Sequence, residues 1–383
     1  MNKDKLIKTF IIFSNFSTIV LHLMSYLRKS NITCFLKHQV KKNTLLVTDP
    51  TLGHGEVMPG IIKYCLDLGF NVEVLITEDK NQEKPFTMFK NLKIFSFEPK
   101  AYMKILTSDK LNEYKKVIFT SSRIYCGDNA DYNEQFIFDY LGEHKIEDDK
   151  ILFIEHHLDL PTQEEKQKYN FVGLPEISAN FGMKMVNPHY FGKNRNKNKN
   201  KTTRFVVTGS IQEKRKNHLL LIDAIQGLLD KKIYNFEIIV IGRGKLEIKN
   251  NKIRDKIKFT GRITYEKMYK IITDCDYILG LLDPNNTLHD RYVKYGTSGT
   301  FQLSYGFLKP LIINEKFAIS HGLNDSNSII YKDNNLLEAM ECAINESNSS
   351  YTNRRNELQI LANKIYEKSL ENIKLLTRGT NES

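Results

Sequence analysis

Apolar positions along this chain alternate between short unbroken runs and helix-spaced stretches, a pattern that predicts parallel sheets covered by helices. The first clear unit starts at Asn43. The run Leu45-Leu46-Val47 leads into Asp49-Pro50-Thr51-Leu52-Gly53-His54-Gly55-Glu56, and so short a run bounded by turn residues reads as a buried strand. Val57, Ile61, Ile62, Tyr64, Cys65 and Leu68 then recur at helical spacing, Gly69 ends the helix, and residues 72–76 form the next apolar run. This is a βαβ unit. Further strands are expected at 117–119 and 151–154, with polar or helical stretches between them.

Residues 193–201, KNRNKNKNK, hold no apolar side chain and cannot enter a core. They mark the best domain boundary in the chain. A strand at 204–208 then meets Gly209-Ser210, and a helix runs through Leu219, Leu220, Ile222, Ala224 and Ile225. Residues 236–241 run into Gly242-Arg243-Gly244, 257–260 into Gly261-Arg262 and 277–282 into Asp283-Pro284, and 310–313 is one more strand. Strands that end repeatedly in glycine or Asp-Pro suit a second parallel α/β domain. Past Asn334 the spacing is helical, at 336–344 and then over 354–376, where Leu358, Leu361, Ile365, Leu370 and Ile373 share one side. The expected organisation is an extension at 1–42, a first domain at 43–192, a linker at 193–203, a second domain at 204–350 and a terminal helix at 351–383 that can reach back across the cleft. Two domains also suit the length of 383 residues, because single cores stop growing near roughly 250–300 residues.

Residues 10–27, FIIFSNFSTIVLHLMSYL, sit between Lys3, Lys5 and Lys8 on one side and Arg28 and Lys29 on the other. Their centre holds Ser14, Asn15, Ser17 and Thr18, and no small-x-small cleavage site follows, so they read as a helix lying on a surface rather than a secretion signal or membrane span. That surface is either the first domain or the anionic inner face of the cell membrane. The net charge of +11 favours polyanions, phosphorylated substrates or anionic lipid. Nucleic acid would account for the charge but not for the glycine turns. Five cysteines without CxxC spacing support neither a disulfide framework nor a zinc site, which points to the cytoplasm.

The strongest chemical element is Gly296-Thr297-Ser298-Gly299-Thr300 leading into Phe301 and Gln302. A small, hydroxyl-bearing loop that opens a helix presents free N–H groups and the positive end of the helix dipole to an anion. The plainer reading is a helix whose Ser298 or Thr300 caps its own backbone. Lys214, Arg215 and Lys216 follow Gly209, where a cation can enter the crevice outside the carboxyl ends of a parallel sheet. A solvated basic turn is the alternative. Gly242 offers a second bare turn that a base or ribose could approach. In the first half, Gly53, Gly55 and Glu56 form an acceptor-side loop in which His54 is a candidate general base, and His157 in Glu155-His156-His157 is a second candidate. No metal-ligand spacing is present, since Asp274-Cys275-Asp276 falls at a helix end and reads as a cap.

Taken together, VVTGSIQEKRKNHLLLIDAI, FEIIVIGRGK, KIKFTGRITYEKMYKIITDCDYILGLL and TSGTFQLSYGFLKPLII resemble, in order and spacing, the C-terminal half of GT-B glycosyltransferases, most nearly family 4 (group 1). LLVTDPTLGHGEVMPGIIKYCLDLGFNVEVLIT resembles the opening of their N-terminal half. The resemblance implies two Rossmann-like domains facing across a cleft. It implies transfer of a sugar from a nucleotide-sugar, bound as substrate with no cofactor and no metal, to a glycan or lipid-linked acceptor in surface polysaccharide or glycolipid synthesis. It maps the family's basic residues after the first strand of that half best onto Arg215, with Lys214 and Lys216 as neighbours, and the expected donor and phosphate contacts are then Gly209, Arg215, Lys216, Gly242, Thr297, Ser298, Gly299, Thr300 and Gln302. Tyr295 and Leu303 stand where the family has two glutamates, so either Gln302 or the loop 297–300 is expected to take over the ribose and phosphate contacts. A sugar-nucleotide epimerase or phosphorylase of the same fold, or a catalytically silent nucleotide-binding protein, are the alternatives.

Overall fold

The computed structural model describes residues 32–51, 55–124, 135–137, 146–192, 198–211, 216–244 and 246–377. The apolar segment at 10–27, Gly53, His54, Lys214, Arg215 and the first part of the charged tract lie outside them. Two parallel sheets stand side by side. The first contains β1 (Thr44–Asp49), β2 (Asn71–Thr77), β3 (Lys93–Phe97), β4 (Lys116–Phe119), β5 (Ile151–Glu155), β6 (Asn170–Gly173) and β7 (Lys184–Met185), in the order β3-β2-β1-β4-β5-β6-β7. The second contains β8 (Thr203–Thr208), β9 (Phe236–Ile241), β10 (Ile257–Gly261), β11 (Tyr277–Leu279), β12 (Leu311–Asn314) and β13 (Ile329–Tyr331), in the order β10-β9-β8-β11-β12-β13. In both, the order reverses beside the first strand, which opens a crevice at the carboxyl ends. The two crevices face one another.

Every residue of β1 is buried, as expected for a strand covered on both faces. One apolar layer of the first sheet holds Leu46, Val117 and Phe153, the other Leu45, Val47 and Ile118, so successive side chains serve opposite cores. The helices that position the site are α1 (Met58–Asp67), α2 (His218–Asp230), α3 (Tyr265–Asp274) and α4 (Gly299–Phe307); α5 (Leu336–Asn345) and α6 (Asn348–Thr377) complete the second domain. Helix α6 ties the halves together. At its start Tyr351 is buried in the second core and donates to the Asp276 carbonyl at 3.0 Å. Near its end Asn372 Nδ2 donates to the Met185 carbonyl at 2.7 Å, Ser369 Oγ accepts the Asn187 amide at 3.0 Å, and Ile373 is buried in the first core.

Three features depart from the sequence reading. Residues 32–40 are no separate extension, because Phe35 is fully buried with its ring edge-on to Phe95 at 4.7 Å and to Phe97 at 5.8 Å. The apolar run at 277–282 yields a strand only to Leu279, since Leu281 turns to φ +46° and its carbonyl accepts the Asn217 amide at 2.9 Å. The end of the charged tract is anchored: Lys199 Nζ donates to the carbonyls of Ile344 and Glu346 at 2.7 and 2.9 Å, and Asp276 accepts the amides of Asn200 and Arg204 at 2.9 and 2.8 Å.

A methyl group at Gly242 would overlap the Gly209 carbonyl oxygen, a backbone atom that cannot swing aside. Overpacking of this kind costs about 1–3 kcal/mol or more. Gly242→Ala is therefore expected to destabilise the protein by at least about 2 kcal/mol in urea unfolding; an unchanged midpoint would show that the two turns are not in contact.

Candidate active site between the two sheets

A cavity of about 580 Å³ lies where the two crevices meet, within the size range of small-molecule sites. On the second-domain side, Ser298 is the N-cap of α4, its Oγ accepting the Thr300 amide at 3.4 Å. Capping takes up the Thr300 amide and the Phe301 amide donates to the Ser298 carbonyl at 2.9 Å, which leaves Gly299 at the helix start beside the cavity, where the helix dipole favours an anion by about 0.3–1 kcal/mol. The capping reading and the anion reading are thus compatible. Gln302 is buried with Oε1 unpartnered, while its Nε2 donates to Thr297 Oγ1 at 3.4 Å.

Lys216 supplies the charge. Its ammonium enters from the turn after β8 and donates to the Gly280 carbonyl at 3.0 Å and to Thr300 Oγ1 at 3.2 Å. Both acceptors are neutral, and among the described residues no carboxylate lies within ion-pair reach of it. Burial alone lowers its pKa from 10.5 to about 8. A buried cation without a counter-ion, one donor short of full use, beside a capped helix start, is a site prepared for an anion.

The first-domain side is built on Glu155 at the end of β5. Its Oε1 accepts the amides of His156 and His157 at 2.9 and 3.0 Å, and Ser122 Oγ donates to Oε2. His156 Nε2 lies 3.0 Å from the Thr120 carbonyl, which makes that nitrogen a donor. The turn so fixed is joined to the other domain: His157 bridges Gly296 as an antiparallel pair, and the Leu158 amide donates to the Tyr295 carbonyl at 2.8 Å. A second contact closes the other rim. Tyr265 OH donates to Glu56 Oε2 at 3.0 Å and accepts the Gly55 amide at 3.1 Å, while Glu83 pairs with Arg262. Burial and the Glu56 carboxylate push the Tyr265 phenol well above 10, so it remains a donor.

Of the residues singled out in the sequence, Gly209, Lys216, Thr297, Ser298, Gly299, Thr300, Gln302, Glu56 and His157 line this one cavity. Gly242 does not, because its bareness serves the Gly209 carbonyl rather than a ligand. Gly55 stands behind Tyr265. Gly53, His54 and Arg215 lie outside the described residues. Tyr265, Arg291 and Tyr292 also line the cavity, without any signal in the sequence, whereas Glu155 could have been singled out as the first polar residue after an apolar strand. Among the described residues, no three His, Cys, Asp or Glu side chains gather as a metal site requires, and no helix is long and apolar enough to cross a membrane.

Two facing doubly wound sheets with the carboxyl ends around one cavity are found in solved structures of similar size. TarM superposes with a TM-score of 0.56 at 10% identity over 89% of this chain and 99% of its own, and AviGT4, a glycosyltransferase involved in avilamycin A biosynthesis, with 0.52 at 11% identity over 88% and 98%. The fold is GT-B. Residues 167–279, spanning the seam and the first half of the second GT-B domain, match the family model for group 1 glycosyl transferases. No curated protein matches the chain in sequence.

The depressed Lys216 pKa sets a pH dependence. Below about 8 the ammonium is charged and available to an anion; above it the unliganded GT-B chain loses that proton while the unfolded lysine keeps its own up to 10.5. Anion binding therefore weakens with rising pH even as unliganded stability gains. The ratio of pyrophosphate affinities of the wild-type chain and Lys216→Met, measured by calorimetry so that the ligand's own titration cancels, should stay level below pH 8 and fall by up to about tenfold per pH unit above it. A ratio that stays level above pH 8 as well would assign any alkaline limb to another group.

Proposed function

We propose that this chain is a glycosyltransferase that moves a sugar from a nucleotide-sugar to a glycan or lipid-linked acceptor in surface polysaccharide or glycolipid synthesis at the cytoplasmic face of the membrane, without a metal. The observation that carries the reading is the Lys216 ammonium, buried without a carboxylate against Thr300 at the start of α4. Sugar transfer breaks the bond between the anomeric carbon and a diphosphate oxygen, so negative charge builds on the leaving group. Lys216, the Gly299 amide at the start of α4 and the Thr300 hydroxyl would meet that charge with donors already in place. Gln302, with its unpartnered Oε1, would take the ribose hydroxyls. The match of residues 167–279 to group 1 glycosyl transferases supports the same assignment.

On the acceptor side, His157 and Glu56 face the cavity from the first domain. Of the two, His157 sits on the turn that pairs with Gly296 across the seam, and we assign it to receive the acceptor's hydroxyl proton as the sugar is transferred. The chain's basic character would keep it near anionic lipid.

Thermal-shift measurements against UDP, GDP, CMP and their sugars are expected to give stabilisation by at least one nucleotide, followed by sugar transfer or slow sugar release that persists in EDTA. Ser298→Ala with Thr300→Ala should weaken that nucleotide about tenfold, the loss of one to two hydrogen bonds to a charged group. Absence of stabilisation by any nucleotide would remove the basis of the proposal.

A further inference from the structure

A second cation, Arg291, lines the cavity with Lys216. Arg291 opens the short helix Arg291–Lys294, its Nη2 donates to Tyr292 OH at 2.7 Å, and its guanidinium lies over the Tyr292 ring at 4.7 Å. The Nε is shut away from solvent and has no partner. Neighbouring carboxylates are committed elsewhere. Asp290 is held by Lys294 at 3.1 Å and Lys316 at 2.8 Å, Glu56 by Tyr265, and Glu155 by Ser122 and two amides. Contact with the Tyr292 ring and the bond to its hydroxyl hold the guanidinium in place, so its unused N–H groups are preorganised for an oxyanion.

Arg291 and Lys216 meet opposite ends of the 296–300 loop. Its carbonyl accepts the Gly296 amide at 2.7 Å, and Gly296 pairs with His157 of the first domain. A methyl group on Gly296 would lie 3.3 Å from the Arg291 carbonyl and 3.6 Å from that of His156. Arg291 therefore stands at the seam, beside the turn that faces the acceptor, whereas Lys216 contacts Thr300 at the start of α4.

Resting on the sugar-transfer reading, we propose that the acceptor is acidic: it carries an oxyanion, a phosphate ester or a sugar carboxylate, near the hydroxyl that reacts, and Arg291 binds it. An acidic acceptor would pair with the unused Arg291 N–H groups and a neutral one of the same size would not, a difference that discriminates between otherwise similar ligands.

Ligand-observed NMR on the full chain, with and without UDP, would compare a methyl hexoside 6-phosphate, a methyl hexuronide and the unmodified methyl hexoside. At least one acidic hexoside is expected to bind tenfold or more tightly than the neutral one, and which of the two does so identifies the oxyanion. Arg291→Gln should erase that preference with little effect on the neutral hexoside, Arg291→Lys should keep part of it, and Lys216→Met should leave it in place. Equal binding of acidic and neutral hexosides would overturn the proposal, as would a preference that survives in Arg291→Gln. So would a loss of UDP affinity in Arg291→Gln matching that of Lys216→Met, which would put Arg291 on the donor. An Arg291-dependent preference in a chain that binds no nucleotide would uphold the anion site and defeat the sugar-transfer reading instead.

Discussion

A lysine ammonium held out of water without a carboxylate is the constraint around which this structure is arranged. Burial of a charge is costly unless the surroundings supply donors and acceptors in the right places. Here the Gly280 carbonyl and Thr300 Oγ1 supply them, and both depend on distant features. Gly280 is available because β11 stops at Leu279 and Leu281 turns away to meet Asn217, the residue after Lys216. Thr300 is held by Ser298 Oγ, which donates to it at 3.2 Å while capping α4. Strand end, turn and helix start thus converge on one cation, and the chemistry assigned to the cavity follows from that convergence.

The first domain meets this arrangement through backbone rather than through charge. Glu155 orders the turn after β5 by taking two consecutive amides, and that turn hydrogen-bonds across to Tyr295 and Gly296. Residues 295–300 are therefore positioned from both sides, by the first domain at one end and by Lys216 at the other. Helix α6 backs the assembly, since it is buried in the second core at Tyr351 and in the first at Ile373. Movement of one domain against the other would have to break the hydrogen bond from the Leu158 amide to the Tyr295 carbonyl and the Tyr265–Glu56 contact.

The fold was legible because its strands are apolar on both faces, so that runs such as 45–47, 151–154 and 236–241 declare themselves without help from neighbours. Strands β3, β6 and β7 were not, being short or carrying polar residues such as Lys93, Ser96, Asn170 and Lys184 at half-covered positions. Phe35 was missed for a different reason: one buried ring in a polar stretch has no periodicity, and only its packing on Phe95 and Phe97 makes it core. At the site, the helix-opening loop 296–300 and Lys216 could be picked out from local chemistry alone. Gly242 could not be interpreted correctly, because a glycine required by another stretch of backbone looks the same in sequence as one required by a ligand. Tyr265 carries no local signal at all, since its importance comes from Gly55 and Glu56, more than 200 positions away.

Hydrogen–deuterium exchange on the full chain with and without a bound nucleoside diphosphate tests the central claim most directly. The account predicts new protection concentrated in residues 299–302 and 208–211, the amides nearest the Lys216 ammonium, with the turn at 156–158 slowed to a lesser degree through its bonds to Tyr295 and Gly296. A diphosphate that binds yet leaves 299–302 exchanging at the unliganded rate would contradict it.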